Sequence, residues 1–174
     1  MLKTIALVVV LLIAGVLIFA STKPDSFRVE RVIAIKAQPD KIASHVNDFR
    51  QWAVWSPWEK LDPTMKRSFS GSPSGKGTVY EWEGSGKVGA GRMEVLEVAP
   101  LKTTIKLDFI KPFEGHNTAE FQYNPQGDST QVVWAMFGPA NFMSKVMGVF
   151  FNMDTLIGKD FEAGLANLKA AAEK

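Results

Sequence analysis

From Thr4 to Thr22 the chain carries no charged residue, and Leu, Ile, Val, Ala and Phe make up most of the run. A helix rises about 1.5 Å per residue, so a run of this length spans close to the roughly 30 Å of a hydrocarbon core. A helix that is apolar on every face has no solvent-facing side, which makes a buried helix of a small soluble domain the poorest reading. The run predicts a transmembrane anchor over residues 1–23 and a separate domain over residues 24–174. The competing reading is a cleaved signal peptide, with Lys3 as its positive n-region. Against it, Ile18-Phe19-Ala20 places a large residue where a cleavage site carries a small one, and the run is longer than an h-region of about 7–15 residues. The expected location is a membrane, with one N-terminal span. Lys23, Arg28, Arg31 and Lys36 behind the span favour a cytoplasmic domain by the count of basic residues. A signal-anchor arrangement would export the domain instead, and the side stays open.

The remaining residues are enough for one domain with a real core. The whole chain has 20 Lys and Arg against 18 Asp and Glu, and Lys3 lies ahead of the span, so the domain is close to neutral. No basic cluster interleaves with aromatics, which argues against nucleic acid as a partner. There is no cysteine, which excludes disulfides, thiol chemistry and Cys-ligated metal. His45 and His116 are the only two histidines, so a His-rich metal site is excluded as well. No cofactor is expected.

Along the domain, Phe27 to Ala37 alternates imperfectly with period two and reads as a strand. Gln38-Pro39-Asp40 starts a helix that carries Ile42, Ala43, Val46 and Phe49, and Pro39 suits its first position. A short irregular piece covers Trp52 to Lys60. From Met65 onward, six short strands are separated by turn clusters: Met65–Ser70, Gly77–Glu83, Val88–Val98, Thr103–Lys111, His116–Asn124 and Thr130–Gly138. Such spacing leaves no room for crossover helices, so neighbours should pair as antiparallel hairpins. Gly86, Gly89 and Gly91 are placed to bend or bulge the sheet. Phe142, Val146, Val149, Phe150, Met153, Leu156, Ile157, Phe161, Leu165 and Leu168 then recur at helical spacing. They predict an amphipathic helix of about thirty residues, with Asn152-Met153-Asp154 as a candidate break. The order predicts an α+β fold, a curved antiparallel sheet of about seven strands wrapped around a long C-terminal helix. A strongly curved sheet closing on a single helix tends to leave a cavity.

Four stretches resemble the START/Bet v 1-like (SRPBCC) superfamily, whose fold is called a helix grip. Ala37-Gln38-Pro39-Asp40-Lys41-Ile42 after the first strand is similar to that family's A-x-P-e-x-V. Asp48 to Trp58, with Trp52, Trp55 and Pro57, is similar to its D-x-x-x-W-x-x-W-x-P run. Thr130-Gln131-Val132-Val133-Trp134 and the closing segment Lys159 to Lys169 complete the likeness, which covers residues 27–172. Within the superfamily the chain is most like bacterial proteins of polyketide cyclase/dehydrase type, with an N-terminal span as a departure. The resemblance implies a hydrophobic small-molecule ligand held in an internal cavity.

The candidate ligand-binding residues are apolar or aromatic. Trp52, Trp55 and Trp58 recur every three residues, which on a helix puts them on one face. They would line a cavity mouth or, as the plainer reading, close the core. Tyr80 and Trp82 share one face of their strand, with Glu81 and Glu83 on the other. Met93, Phe109, Phe121, Trp134 and Met136 have the inward period and suit core and pocket wall equally. Phe142, Met143, Met147 and Phe150, with Met153, make a flexible apolar cluster near the start of the last helix. Glu59 and Lys60 read as a surface ion pair, and Arg92 as solvent-facing.

Three classes of function follow. The first is membrane-anchored binding or transport of a lipid, quinone or polyketide-like molecule. The second is a cyclase or aromatase in the same cavity, whose catalytic residues stay unknown; Tyr80, His116, Glu114 and Arg92 are the titratable candidates. The third is a protein-binding module at the membrane. Oligomeric state is open.

Overall fold

Alternation of inward apolar and outward polar residues brings seven strands into a single antiparallel sheet in the order β1-β7-β6-β5-β4-β3-β2. The computed structural model describes residues 1–174, the side chain of Met153 excepted. Helix α1 (Leu2–Ser21) precedes β1 (Ser26–Ile35), α2 (Pro39–Asn47) and the one-turn α3 (Trp52–Trp55). Strands β2 (Lys66–Gly71), β3 (Thr78–Glu83), β4 (Ala90–Ala99), β5 (Lys102–Lys111), β6 (Gly115–Gln126) and β7 (Ser129–Pro139) follow. Helices α4 (Phe142–Phe150) and α5 (Met153–Ala172) close the chain. The expected α+β helix grip is what forms, with β1 returning to pair with β7 from Ser26↔Pro139 to Ile35↔Thr130.

The sheet curves at β4, where the register against β5 shifts between Ala90 and Gly91 and again between Val95 and Glu97. Each irregularity inserts extra twist. Gly91 is required there by space. A Cβ on it would run into the indole of Trp82 and come within 2.6 Å of the Asp108 carbonyl oxygen. Both obstacles belong to packed strands. Gly91→Ala is therefore expected to lower stability by about 1–3 kcal/mol, although alanine is otherwise the better strand residue. Chemical denaturation would read this as a lower midpoint at unchanged slope; an unchanged midpoint would show that the bend has slack.

The predicted thirty-residue helix is two helices. Phe151 and Asn152 are extended, and the Asn152 side chain accepts from the Thr155 backbone N–H at 3.1 Å, a cap that starts α5 anew. Asn141 does the same for α4 through Ser144 N–H at 2.8 Å. Helix α5 lies in the concave face, with Phe161, Leu165 and Leu168 buried against the sheet. Arg31 of β1 clamps its first turns: its guanidinium reaches Asp154 at 3.1 Å and Glu162 at 2.8 Å. Gly158 lies between those two acids on the same helix face, and a side chain there would collide with the guanidinium.

Helix α1 is apolar along its length, and Ala20 at its end is its one buried residue. It is long and apolar enough to cross a membrane. It meets the domain beside α4, and the chain then runs through Lys23 and Pro24 directly into β1.

Candidate functional site

Between the concave face of the sheet, α4 and the first half of α5 is a cavity of about 870 Å³. Trp52, Met93, Ala119, Trp134, Met136 and Phe161 form its buried wall. Its mouth is marked by Lys23, Pro24, Phe113, Glu114, Phe150 and Phe151. Phe150 is 64% exposed and Phe113 58%, so the rim is apolar and open. The volume falls in the range of about 300–1,000 Å³ typical of sites for small ligands.

The tryptophans show how local geometry sorts the wall. Trp52 donates its indole N–H to the Val46 carbonyl at 2.9 Å, and Trp55 donates to that of His45 at 3.0 Å. Both indoles thereby satisfy carbonyls in the last turn of α2, groups that a helix end otherwise leaves without partners. Helix α3 is a single turn, and the chain leaves it at Ser56-Pro57. All three indoles turn to Trp134, but at different depths. Trp52 and Trp58 reach the cavity, whereas Trp55 is fully buried behind it.

Tyr80, Trp82, Met93, Phe109, Trp134, Met136 and Phe150 also line the cavity, as their spacing suggested. Phe121 does not. The rings of Trp52, Trp55 and Trp134 cover it, with the last stacked at 5.0 Å, and it is fully buried. Phe142, Met143 and Met147 lie outside the wall as well. Helix α4 turns Ser144, Lys145, Gly148 and Val149 to the cavity, and its break from α5 rotates the residues one step away from that face. Met153 lies outside the described side chains.

The feature that the sequence pattern did not reveal is polar. Tyr80 donates its hydroxyl to Glu59 Oε1 at 2.5 Å, and Arg67 Nε donates to Glu59 Oε2 at 2.7 Å. A second Arg67 N–H reaches the Glu59 carbonyl at 2.9 Å. Glu59 is thus paired with Arg67 of β2 and not with Lys60, and its side chain is only 9% exposed. Burial, and then the bond to Glu59, push the Tyr80 phenol above its ordinary range, so it stays protonated at neutral pH. Ser56, also in the wall, is 2% exposed, and its hydroxyl makes no capping bond to the turn that follows. The adjacency of Glu59 to an aromatic-rich turn was the available signal, but a neighbouring lysine suggested a simpler partner.

Of the other titratable candidates, Glu114 stands at the mouth, and Arg92 and His116 fall outside the cavity. Arg92 is on the convex face, 2.8 Å from Glu94. His116 is outside the wall. Its Nδ1 lies 2.8 Å from Asp108 and its Nε2 3.3 Å from Glu114. The Asp108 hydrogen bond, followed by the negative charges nearby, raises the His116 pKa above its ordinary 6.5. The folded protein therefore holds this proton more tightly than the unfolded chain. The contact stabilises fully below about 6.5 and fades as pH rises through the raised value. His45 shifts the opposite way, through burial first and the charge of Lys41 second. NMR titration of the two imidazoles should place His116 above 6.5 and His45 below it, and Asp108→Asn should bring His116 down. The reverse order would contradict the Asp108 contact. Among the described residues no group of histidine and acidic side chains is placed to hold a metal ion.

Comparison with known proteins gives this architecture its relatives. The model of the polyketide cyclase / dehydrase and lipid transport family matches residues 26–173. The chain belongs to that family. No curated protein matches it in sequence. Among solved structures, the fold of this family member is similar to protein CV1439 from Chromobacterium violaceum, at 14% identity and a TM-score of 0.59, over 87% of this chain and 99% of the other. It is similar to the major latex-like protein 151 of Panax ginseng, at 12% identity and a TM-score of 0.59, over 87% and 100%. It also matches the di-domain aromatase/cyclase BexL of the BE-7585A biosynthetic pathway, at 15% identity and a TM-score of 0.61, over 90% of this chain and 53% of that one. Identities this low speak for the shared helix-grip fold.

Proposed function

We propose that this family member is a membrane-anchored binding protein for a small hydrophobic molecule. Residues 1–23 act as the anchor and residues 24–174 as the binding domain. The observation that carries the reading is the cavity itself: about 870 Å³, walled by aromatic and aliphatic side chains, with its mouth beside the end of an apolar helix. Trp52, Trp58, Tyr80, Trp82, Met93, Phe109, Trp134, Met136 and Phe150 are the proposed contacts. Burying roughly 400 Å² of ligand surface would supply about 10 kcal/mol before the cost of ordering the partners. The position of the mouth offers such a ligand a short path between bilayer and cavity.

The test is mass spectrometry of an organic extract from full-length protein purified gently from its native membrane. A stoichiometric lipid, quinone or polyketide-like compound is expected. Extracts free of any enriched compound across several detergents would speak against the reading.

One observation favours a second reading, a cyclase or aromatase in the same cavity. Glu59 and Tyr80 are two titratable groups in its wall, and one carboxylate could accept a proton from a bound polyketide-like compound. Against it, Tyr80 is held protonated, and its hydrogen is committed to Glu59. Turnover of a polyketide-like substrate that is lost in Glu59→Gln while binding persists would favour the enzyme.

A further inference from the structure

The cavity wall is apolar over most of its surface, but one corner concentrates Ser56, Glu59 and Tyr80. What these groups offer an incoming molecule follows from the hydrogen atoms already in use. The Tyr80 hydrogen goes to Glu59 Oε1, and Arg67 occupies Oε2 from outside the wall. The carboxylate has no hydrogen to give. What is left facing the cavity is lone pairs on Tyr80 Oη and on Glu59, and the Ser56 hydroxyl. Ser56 is nine-tenths and more buried, lines the cavity, and does not spend its hydroxyl on capping the turn that follows.

Resting on the reading of the cavity as a ligand site, we propose that Ser56, Glu59 and Tyr80 form a recognition corner for the hydroxyl end of an uncharged apolar molecule, selected over a carboxylate. A hydroxyl donates to Tyr80 Oη or Glu59 and accepts from Ser56. A carboxylate would find only the Ser56 hydroxyl as a donor and would bring a second negative charge beside Glu59. The burial that keeps the Tyr80 phenol neutral also weakens the screening of that repulsion. Of the three lysines of the wall, Lys145 is ion-paired with Asp25, Lys23 lies 4.6 Å over the ring of Phe19, and Lys87 is exposed on the loop between β3 and β4. Arg67 is already engaged with Glu59 outside the wall.

The probes are 12-bromododecan-1-ol and 12-bromododecanoic acid, equal in chain length and different only at the polar end. Bromine quenches nearby indoles, and Trp52, Trp58, Trp82 and Trp134 all line the cavity. Full-length protein in detergent would be titrated with each probe at pH about 8.5, where the acid is ionised. The alcohol is expected to bind about tenfold more tightly or better, the scale of a single satisfied or broken buried polar contact. Glu59→Gln removes the charge and supplies a donor, and should bring the two probes to within about threefold by rescuing the acid. Tyr80→Phe should weaken the alcohol and leave the acid unchanged, and serves as the test if the Glu59 variant does not fold. Equal binding of both probes, or tighter binding of the acid, overturns the recognition corner and leaves the cavity reading standing. Quenching by neither probe overturns both.

Discussion

Trp134→Ala is expected to cost about 3–5 kcal/mol, the largest loss from a single truncation in this domain. Trp134 is 2% exposed and sits at the centre of the aromatic core. Phe161 of α5 stacks on one of its faces at 4.0 Å, with the rings 4° from parallel, and Phe121 of β6 stacks at 5.0 Å. Trp52, Trp55 and Trp58 meet it edge-on between 5.5 and 6.3 Å. It therefore joins the sheet, the turn carrying the tryptophans and α5 in one contact. Gly164 is the reason α5 comes so close: a Cβ there would lie 2.8 Å from Trp134 Cζ3. Alanine would leave a void that rings held by three different elements cannot close. Trp134→Phe is a different case. The indole N–H is buried with no acceptor among the described residues. Phenylalanine removes that unsatisfied donor, which offsets part of the lost packing, and the expected cost is about 1 kcal/mol. Denaturation midpoints of the two variants at equal slope would check both values. A Trp134→Ala loss below about 1 kcal/mol would mean that the stack is not a packed core.

The same residue shows how much a linear pattern can carry. Period-two alternation places Met93, Trp134 and Met136 inward correctly, because the side-chain period of a strand leaves only two choices. The helix-grip order follows from short strand spacing and one apolar C-terminal segment. What alternation does not encode is depth. Phe121 and Trp134 both point inward from neighbouring strands, yet one lines empty space and the other is roofed by the first one's neighbours. Depth also separates Trp52, Trp55 and Trp58. Their three-residue spacing turns all three rings to Trp134, yet Trp55 is fully buried while the other two reach the cavity. At α4 the error is angular, since a break at Phe151-Asn152 decides which side of Phe142, Met143 and Met147 faces the cavity. Glu59 was misread through its neighbour Lys60. Its partner Arg67 is eight residues away on β2, and only the pairing of β2 with β3 sets it beside Tyr80.

Ala119→Trp is expected to abolish ligand binding while leaving the domain folded, a combination that separates an empty cavity from an ordinary core. Ala119 is buried in the wall, directly across the strands from Ile105 and Met136. In a close-packed interior, replacing alanine by tryptophan overpacks the site and costs about 1–3 kcal/mol or more. Beside a void of about 870 Å³ the indole has somewhere to go, and the apolar surface it buries contributes favourably. Stability within about 1 kcal/mol of the parent chain is therefore expected, together with a loss of affinity for an apolar probe of about tenfold or more. The two readouts constrain one another. Strong destabilisation would mean that the space is filled by side-chain rearrangement in the free protein. Unchanged stability with unchanged affinity would place the ligand elsewhere, on the exposed rim formed by Phe113, Phe150 and Phe151. Only the expected pair of results makes the volume between sheet and helix the place where a ligand resides.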